Sequence, residues 1–507
     1  MIFLKSRSIL QNTAFLTLAN LVLRLVSLLY QIYLAEIIGA AGMGKLQLVL
    51  TAAGFAMTLG SAGVRVASMN LTAQEWGKGS PAGMKKAISC CLVYTLLFST
   101  LSGALLWALT PKIAADFVKD SAVIPSLGIL ALTMPISCLT AMLSGYFTAR
   151  GKIRNLVTIE IVERVLSIGI TLVMLKHWAN GNLSRVCCSV VGGSAVSTAM
   201  GLAAMLALLT KDLRPIPSQE IPMTKRLLSL CIPLALSDYL RSGLSTVEQF
   251  LIPRGLSKSS GNYDRSMADY GTISGMVFPV LMFPAAVFFA LSDLLVPELS
   301  RCRVQGQHAR IRRIVSRSLK AGAVFSSFAA GLMFTLAPTL GELLYHSPSA
   351  GAYLRLFSPL IVMLYIDALT DGMLKGLGEQ VASVRYNTIT AALDVLFLWI
   401  LLPRWGLGGF FFTFAVTHAI NFILSLRRLS KVTGFLPNTV HTCKTVVTAG
   451  ISAAVVSKMV SQRVSVLSIL FSAIIFSAIF FVAANITGIL SKADIQHLLP
   501  QRKTALS

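Results

Sequence analysis

Two apolar segments near the start of the chain each carry a stripe of polar residues that includes an arginine. The polar residues recur at alternating steps of four and three, which places them on one face of a helix. The first stripe comprises Thr13, Thr17, Asn20, Arg24, Ser27 and Gln31, and the second comprises Gln47, Thr51, Gly54, Thr58, Ser61, Arg65 and Ser68. A guanidinium is a planar, two-pronged donor, so these stripes predict contact with an anionic group such as a phosphate.

The elements that hold these stripes are predicted to be membrane helices. Of 507 residues, 55% are hydrophobic and 13% charged, whereas a soluble domain has about 25% charged residues. Charge is also excluded from many blocks longer than about 18 residues. Lipid does not tolerate a polar stripe, so the stripes should face a watery cavity or a neighbouring helix, and an arginine there indicates a functional site.

We expect an all-α, polytopic membrane protein with about fourteen spans. Lysines and arginines concentrate in alternate loops, which predicts that both termini are cytoplasmic and that the protein lies in the cytoplasmic (plasma) membrane. The predicted spans are 9–34, 45–69, 87–110, 122–148, 155–176, 187–210, 226–251, 270–296, 316–341, 353–375, 383–402, 406–427, 441–460 and 464–489.

An internal repeat is visible at one constant offset along the chain. Gly145–Gly151 aligns with Gly372–Gly378, and the same offset carries Gly44 onto Gly271. Each half then holds six spans that enter the membrane in the same direction, and substrate sites in such transporters lie between the halves. The predicted domains are an N-terminal lobe over 1–222, a C-terminal lobe over 223–433, and two additional spans with a cytoplasmic tail over 434–507.

Further charged residues inside predicted spans are candidates for coupling or gating. Span 7 carries Asp238, Arg241, Ser245 and Glu248 on one face. Arg241 either lines the cavity or pairs with Asp238, which is three residues away. Asp394, in the middle of span 11, either carries a coupling proton or is a hydrogen-bonded packing residue.

The arginines of the stripes also have structural alternatives. Arg24 either binds an anionic head or forms an ion pair with a buried acid such as Asp238 or Asp394. Arg65 lies closer to the cytoplasmic end of its span and either lines the cavity or extends to the lipid headgroups. Asp367 and Asp371, near the cytoplasmic end of span 10, are expected to pair with basic residues nearby.

The sequence contains no enzyme motif and no cofactor motif. The phosphate-binding glycine loop, His-Glu-x-x-His and Gly-x-Ser-x-Gly are all absent, so we expect neither an enzyme nor a bound cofactor. The eight cysteines form no Cys-x-x-Cys pair, so no metal site is expected. The net charge of +24 lies in short clusters between apolar blocks, which favours contact with membrane lipids over binding of nucleic acid.

Several segments resemble polysaccharide-export flippases. Their order over nearly the whole chain is similar to the stage V sporulation protein B-like branch of the multidrug/oligosaccharidyl-lipid/polysaccharide exporter superfamily. The segments are Asn12-Thr-Ala-Phe, Leu29–Gly44, Glu248–Leu256, Tyr345–Leu354 and Gly372–Gly378.

The resemblance implies two six-helix lobes around a central cavity that opens alternately to either side. It implies outward movement of a lipid-linked, anionic oligosaccharide or peptidoglycan precursor for the cell envelope or for sporulation, driven by membrane potential or an ion gradient (H+ or Na+). It also implies cavity arginines on the first, second and eighth helices. Arg24 and Arg65 match the arginines of the first two helices. Span 8 has no arginine, and Arg241 of span 7 is the candidate substitute. Asn20 and Gln31 complete the predicted substrate-binding set.

Two other functions compete with a flippase. A cation-coupled multidrug exporter of the same fold would favour acids in the N-terminal cavity, but the first two spans hold arginines and only Glu36, at a span end. A non-transporting membrane scaffold for envelope assembly is the second alternative, and it predicts that cavity variants keep their function.

Overall fold

The computed structural model describes residues 2–179, 181–213, 222–436, 439–459 and 465–489, without the side chains of residues 2–21 and of Asp293. Within these ranges the chain forms α-helices joined by turns and by short π- and 3-10-helical stretches, and it contains no β-strand, which confirms the all-α prediction. The helices are α1 (Ile2–Ser61), α2 (Val64–Gly77), α3 (Pro81–Lys112), α4 (Ile124–Ala149), α5 (Ile153–Met174), α6 (Leu183–Leu213), α7 (Thr224–Ser260), α8 (Tyr263–Gly271), α9 (Phe278–Met282), α10 (Ala286–Val304), α11 (His308–Tyr345), α12 (Pro348–Phe357), α13 (Ile361–Gly376), α14 (Gln380–Trp405), α15 (Leu407–Thr433), α16 (Thr439–Met459) and α17 (Val466–Ile486).

The helices confirm a polytopic membrane protein, although the count of fourteen spans is approximate. In the described ranges, eleven helical segments are long and apolar enough to cross a membrane, or twelve if the bent pair Tyr263–Met282 and Ala286–Val304 is one span. The predicted fifth span, α5, is helical but too charged to be counted among them. Val22–Gly77 is counted once, although a helix of that length reaches about 80 Å, well beyond the roughly 30 Å of lipid hydrocarbon.

The stretch that holds the first two predicted spans breaks at two places. Gly39 has φ 65° and ψ −179°, which is not helical. Ala62 and Gly63 have φ values of 43° and 72° and separate α1 from α2. The predicted continuous helix over 45–69 is therefore wrong, because two left-handed residues cannot continue a right-handed helix.

The chain divides into two compact units. The first comprises Met1–Gly271 with Val395–Gly409, and the second comprises Thr272–Asp394 with Phe410–Ser507. In the first unit, α2, α3, α4 and α7 enclose a core around the fully buried Tyr146. In the second unit, the predicted additional spans α16 and α17 pack on α11 around Phe476. The lobe limits at 222 and 433 stay a prediction.

The offset of the sequence repeat, which carries Gly145 onto Gly372, also relates the ends of helices. It carries the last residue of α2 onto that of α10 and the last residue of α4 onto that of α13. It likewise relates the first residues of α3 and α11, and those of α5 and α14. Three pairs at the same offset have positive φ: Gly79 and Gly306, Lys119 and His346, and Gly151 and Gly378. The turns between these helices therefore follow the same backbone path in the two halves.

Close helix contacts repeat at this offset as well. A Cβ on Gly145 would overlap the carbonyl oxygen of Arg65, and a Cβ on Gly372 would lie 2.5 Å from the Cβ of Ser292. The repeat aligns Gly145 with Gly372 and Arg65 with Ser292, so the second contact is the equivalent of the first. Small residues that let helices approach backbone to backbone are typical of membrane bundles.

Candidate functional site

The first polar stripe lies on the N-terminal part of α1. The Arg24 side chain is exposed and Gln31 is partly exposed, so both reach the surface of the first unit. Asn20 shares their face by its spacing, but its side chain lies outside the described residues. The structure therefore places a charged donor and an amide donor on the accessible side of this helix.

The second stripe lies on the open side of α1. The five stripe residues on this helix are exposed or partly exposed: Gln47, Thr51, Gly54, Thr58 and Ser61. A Cβ on Gly54 would meet no atom within 4 Å. The opposite face is buried in the first unit through Leu48, Val49, Ala52, Ala53 and Ala56. The apolar face of α1 thus packs inward, and its polar face stays uncovered by the rest of this unit.

The hydroxyl groups of the second stripe that lie on α1 are satisfied within their own helix. Thr51 Oγ1 donates to the Gln47 carbonyl at 2.8 Å, and Thr58 Oγ1 donates to the Gly54 carbonyl at 2.9 Å. Such bonds to the preceding turn satisfy a hydroxyl even in apolar surroundings. The charged and amide side chains of the two stripes, Arg24 among them, are therefore the groups whose chemistry suits water or an anion.

Arg65 lies on α2, beyond the break that ends α1, and its backbone is held by the contact with Gly145. Its side chain is exposed, and Glu160 of α5 lies within its electrostatic reach. Ser68, one turn further along, is buried, with its hydroxyl 3.6 Å from the sulfur of Met142. The spacing of the sequence put Arg65 and Ser68 on one polar face, whereas the structure sends the first outward and the second into the core.

The charged face of α7 belongs to the same unit as the stripes. Tyr239 donates a hydrogen bond from its hydroxyl to the Leu59 carbonyl at 3.0 Å, which places α7 beside α1. Asp238 Oδ1 and Arg241 Nη2 are 3.8 Å apart, and the two side chains are 49% and 64% exposed. The predicted pair within the helix is therefore present. Because an exposed ion pair adds little stability, Arg241 can exchange this partner for another anion at low cost. Glu248, further along α7, is partly exposed.

Asp394 occupies a different environment in the second unit. It is 8% exposed and accepts a hydrogen bond from Thr417 of α15 at 2.5 Å. This geometry is the packing arrangement that the sequence offered as one of two alternatives. A role of Asp394 in coupling stays a prediction.

The prediction that Asp367 and Asp371 pair with basic residues is wrong. The hydrogen bonds to their carboxylates come from neutral side chains. Asn421 donates to Asp367 at 2.7 Å. Asp371 accepts from Ser383 at 2.8 Å and from Asn387 at 3.2 Å. Neutral donors on α14 and α15 therefore satisfy these carboxylates.

Sequence reasoning missed Asn421 and Ser425. Among the described residues, Asp367 Oδ1, Asn421 Oδ1 and Ser425 Oγ are buried and have no hydrogen-bond partner. Buried oxygens without partners suit a proton, an ordered water or a hard cation. The available signal was the spacing of four between Asn421 and Ser425, which places two polar residues on one face of span 12.

Comparisons with known proteins agree on one fold. The family described as Polysaccharide biosynthesis protein matches residues 9–302. Stage V sporulation protein B of Bacillus subtilis (strain 168) is 21% identical over 413 residues, which is 79% of each chain. A solved structure of the lipid II flippase MurJ, in an inward closed conformation, has a TM-score of 0.74 at 12% identity and covers 94% of this chain and 98% of its own. An inward-facing multidrug resistance MATE family transporter of the MOP superfamily has a TM-score of 0.58 at 16% identity, with 82% and 99% covered.

Proposed function

Because the chain belongs to the polysaccharide biosynthesis protein family, we propose that it carries a lipid-linked, anionic oligosaccharide or peptidoglycan precursor outward across the cytoplasmic membrane. Transport proceeds by alternating access through a cationic central cavity. The observation that carries this proposal is the exposed Arg24 on the polar face of a membrane-length apolar helix. A charge in that position is costly in lipid and is explained by an anionic ligand in a wet cavity.

The physical task of such a protein is to replace the water around a phosphate or pyrophosphate head. Arg24 is the leading contact, because a guanidinium donates two parallel hydrogen bonds to phosphate oxygens. Arg65 and Arg241 follow, since both are exposed in the same unit. Asn20 and Gln31 supply amide donors and acceptors for the head or the sugar.

Coupling is assigned to residues that can change partner during the cycle. The 3.8 Å Asp238–Arg241 pair separates when Arg241 engages an anion, and this leaves the Asp238 carboxylate available to the coupling ion. Glu248 on the same helix and Asp394 in the second unit are the other coupling candidates. The proposed driving ion is H+ or Na+.

The names of the relatives support this function over the alternatives. Stage V sporulation protein B is a sporulation protein by name, and MurJ is named as a lipid II flippase. The TM-score to MurJ is higher than that to the multidrug transporter, 0.74 against 0.58. Exposed arginines in the first unit also suit an anionic substrate better than a cationic drug.

A vesicle assay tests the proposal directly. The purified full chain is reconstituted in liposomes that contain a fluorescent undecaprenyl-pyrophosphate oligosaccharide in both leaflets, and a membrane-impermeant quencher is added outside. A flippase should let the quencher reach nearly all of the fluorophore, whereas protein-free liposomes should keep the inner leaflet protected. Protection equal to that of empty liposomes, with or without an imposed ion gradient, would overturn the proposal. Efflux of a cationic dye in the same vesicles would favour the multidrug exporter instead.

The proposed topology has its own test. The alternating loop charge predicts cytoplasmic termini for a plasma-membrane protein. A reporter fused to the C-terminus and active only outside the cytoplasm should stay silent, and activity of that reporter would refute the orientation.

A further inference from the structure

The first four turns of α11 carry a stripe of basic side chains. Arg313, Arg317 and Lys320 follow one another at steps of four and three, which places them on one face of the helix. We refer to these three residues as the basic stripe. All three are exposed, and among the described residues no ion pair or side-chain hydrogen bond holds them. Arg310, one turn earlier, is by contrast paired with Glu298.

Further along α11, helix α17 covers the same face. Phe328 lies three turns after Arg317, and Gly331 lies three turns after Lys320, so both share the face of the basic stripe. The ring centroids of Phe328 and Phe476 are 5.5 Å apart, and a Cβ on Gly331 would lie 2.7 Å from the Phe476 ring. The basic stripe is therefore the uncovered continuation of a face that packs against α17.

The ring contacts also show where α17 ends beside α11. Phe476 approaches Gly331, whereas Phe480, four residues later, contacts the earlier residue Phe328, so the two helices run antiparallel. Ile486, the last residue of α17, lies about 9 Å beyond Phe480 along the helix axis. The same distance back along α11 from Phe328 reaches the inner end of the basic stripe. The end of α17 and the inner end of the stripe are therefore level.

This level places the basic stripe in the headgroup layer of the membrane. Helix α17 has 21 residues and reaches about 31 Å, close to the thickness of the hydrocarbon, so its ends mark the hydrocarbon edges. Lys320 lies at such an edge, and Arg317 and Arg313 lie about 5 and about 10 Å beyond it. The headgroup layer is about 5–8 Å thick on each side. In the proposed topology this end of α11 is cytoplasmic.

The first repeat shows that the fold does not require these cations. The offset of the repeat carries Arg317 onto Cys90 and Lys320 onto Val93. Val93 is 68% exposed, so the equivalent face of the first unit is apolar at this depth. Two of the three cations are therefore peculiar to the second unit, and a cation at the edge of the hydrocarbon is favoured by an anionic lipid head.

We propose that the basic stripe is a docking site for the diphosphate of a lipid-linked substrate in the cytoplasmic leaflet, which the substrate occupies before it enters the cavity. This role rests on the proposed function. The diphosphate continues the direction of its lipid chain, so its two phosphates lie at successive depths, as the three cations do. Lys320 and Arg317 contact the phosphate next to the chain, and Arg317 and Arg313 contact the phosphate that bears the sugar. A glycerophospholipid has one phosphate at one depth and engages fewer of these cations.

Photolabelling locates this docking site without a transport step. An undecaprenyl diphosphate with a photoreactive group next to the diphosphate is placed with the purified full chain in phosphatidylcholine nanodiscs, and labelled peptides are identified by mass spectrometry. We expect label on the first four turns of α11. Arg313→Gln, Arg317→Gln and Lys320→Gln should each reduce that label about fivefold, as expected for one cation near the membrane surface. Absence of label from α11 in the wild type would overturn the proposal.

Two controls separate a docking site from general attraction to anionic lipids. Unlabelled undecaprenyl diphosphate should displace the label from α11 at a lower fraction than phosphatidylglycerol does, and equal displacement by the two lipids would overturn the proposal. The second control removes three exposed cations of the first unit together, Arg154, Lys211 and Lys225. This triple glutamine variant should leave the label on α11 unchanged, whereas an equal loss would show that only total charge matters. Exposed substitutions of this kind have little effect on folding.

Transport kinetics then test the role of the docked substrate. In the vesicle assay, the triple glutamine variant of the basic stripe should need a higher fraction of substrate for half-maximal transport and should keep the maximal rate, because substrate still reaches the cavity from the bilayer. A lower maximal rate with unchanged half-saturation would assign the stripe to the transport step and overturn the docking role. If the wild type does not transport, the proposed function fails, and the labelling of α11 still decides whether the stripe binds a lipid diphosphate.

Discussion

The two repeats share the positions of their helix ends but differ in their charges. Position 65 is an exposed arginine in the first repeat, and its equivalent, position 292, is a buried serine. Position 152 is a lysine that pairs with Asp212, and its equivalent, position 379, is a glutamate that pairs with Arg428. The helix ends and the close glycine contacts therefore lie at equivalent positions in the two repeats, whereas the charged residues differ.

This difference indicates which features each half needs in order to fold and which are free for function. Turn glycines and backbone contacts such as Gly145 with Arg65 recur because the helices cannot pack at that distance otherwise. Charges are not tied to the backbone path in this way. The first unit accordingly exposes arginines on its polar faces, while the second buries Asp367 and Asp394 among neutral donors.

The largest expected effect comes from removing the cation that distinguishes the first unit. Arg24→Ala should abolish transport of lipid-linked sugar, and Arg24→Lys should restore only part of it, because an ammonium lacks the planar geometry that suits phosphate. The measurement is outward movement of substrate at matched protein levels, with Arg404→Ala as the control for loss of an exposed arginine. Wild-type transport by Arg24→Ala would refute the cationic cavity, and disappearance of that variant from the membrane would make Arg24 structural.

The second largest effect is expected from substituting the equivalent glycines, which tests whether both repeats require the close helix contact to the same degree. Gly145→Ala and Gly372→Ala should each destabilise the protein by about 1–3 kcal/mol, because the new Cβ meets atoms of the adjacent helix. Gly54→Ala is the matched control, since open space surrounds that glycine, and alanine should raise stability there by up to about 1 kcal/mol. Thermal unfolding in detergent measures all three. A melting temperature for Gly145→Ala at or above that of the wild type would show that these helices can move apart freely.

Periodicity and composition were sufficient to predict the helices and the offset of the repeat, and they offered the ion pair within α7 as one of two alternatives, because each depends on residues close in sequence or on a fixed spacing. They did not predict the break between α1 and α2. A Cβ on Gly63 would lie 2.9 Å from the side chain of Leu234 on α7, so the constraint on this glycine comes from a helix that is distant in the sequence. The same holds for Asp367 and Asn421, which belong to different helices and meet only in the folded chain. Spacing on one helix identifies a polar face but does not identify the helix that it meets.

A smaller effect is expected from exchanging charges at the equivalent positions 152 and 379, each of which pairs with an oppositely charged residue of its own unit. Lys152 lies just before α5, where the helix dipole disfavours a cation, and Asp212 offsets that cost with oxygens at 2.5 and 2.7 Å. Lys152→Glu should reduce stability by about 1 kcal/mol because it places a carboxylate against Asp212. Adding Asp212→Arg to Lys152→Glu should restore the stability, since the pair then has an acid at position 152 and an arginine as its partner, as Glu379 and Arg428 do. Thermal unfolding of the two variants measures this, and a double variant no more stable than Lys152→Glu would show that the pairs are not interchangeable.

The smallest effect separates two helix caps that occupy equivalent positions, Asp120 and Ser347. Asp120 Oδ1 accepts from the backbone N–H of Ala122, and its Oδ2 accepts from Lys45 at 2.7 Å; Ser347 caps α12 with an uncharged hydroxyl. Partial burial raises the pKa of Asp120, but the bonds from Lys45 and Ala122 outweigh it and lower the pKa below its ordinary value of 3.8.

A carboxyl with a lowered pKa stabilises the folded state above its unfolded pKa and loses that contribution as the pH falls through the folded value. Asp120→Asn keeps a capping oxygen but loses the ion pair. It should therefore lower stability at neutral pH by up to about 1 kcal/mol, and this deficit should shrink below about pH 4. Ser347→Ala loses an uncharged cap worth about 1 kcal/mol, and its deficit should not change with pH. Melting temperatures at neutral and acidic pH measure the contrast, and an Asp120→Asn deficit that is the same at both would show that the charge of Asp120 contributes nothing beyond its cap.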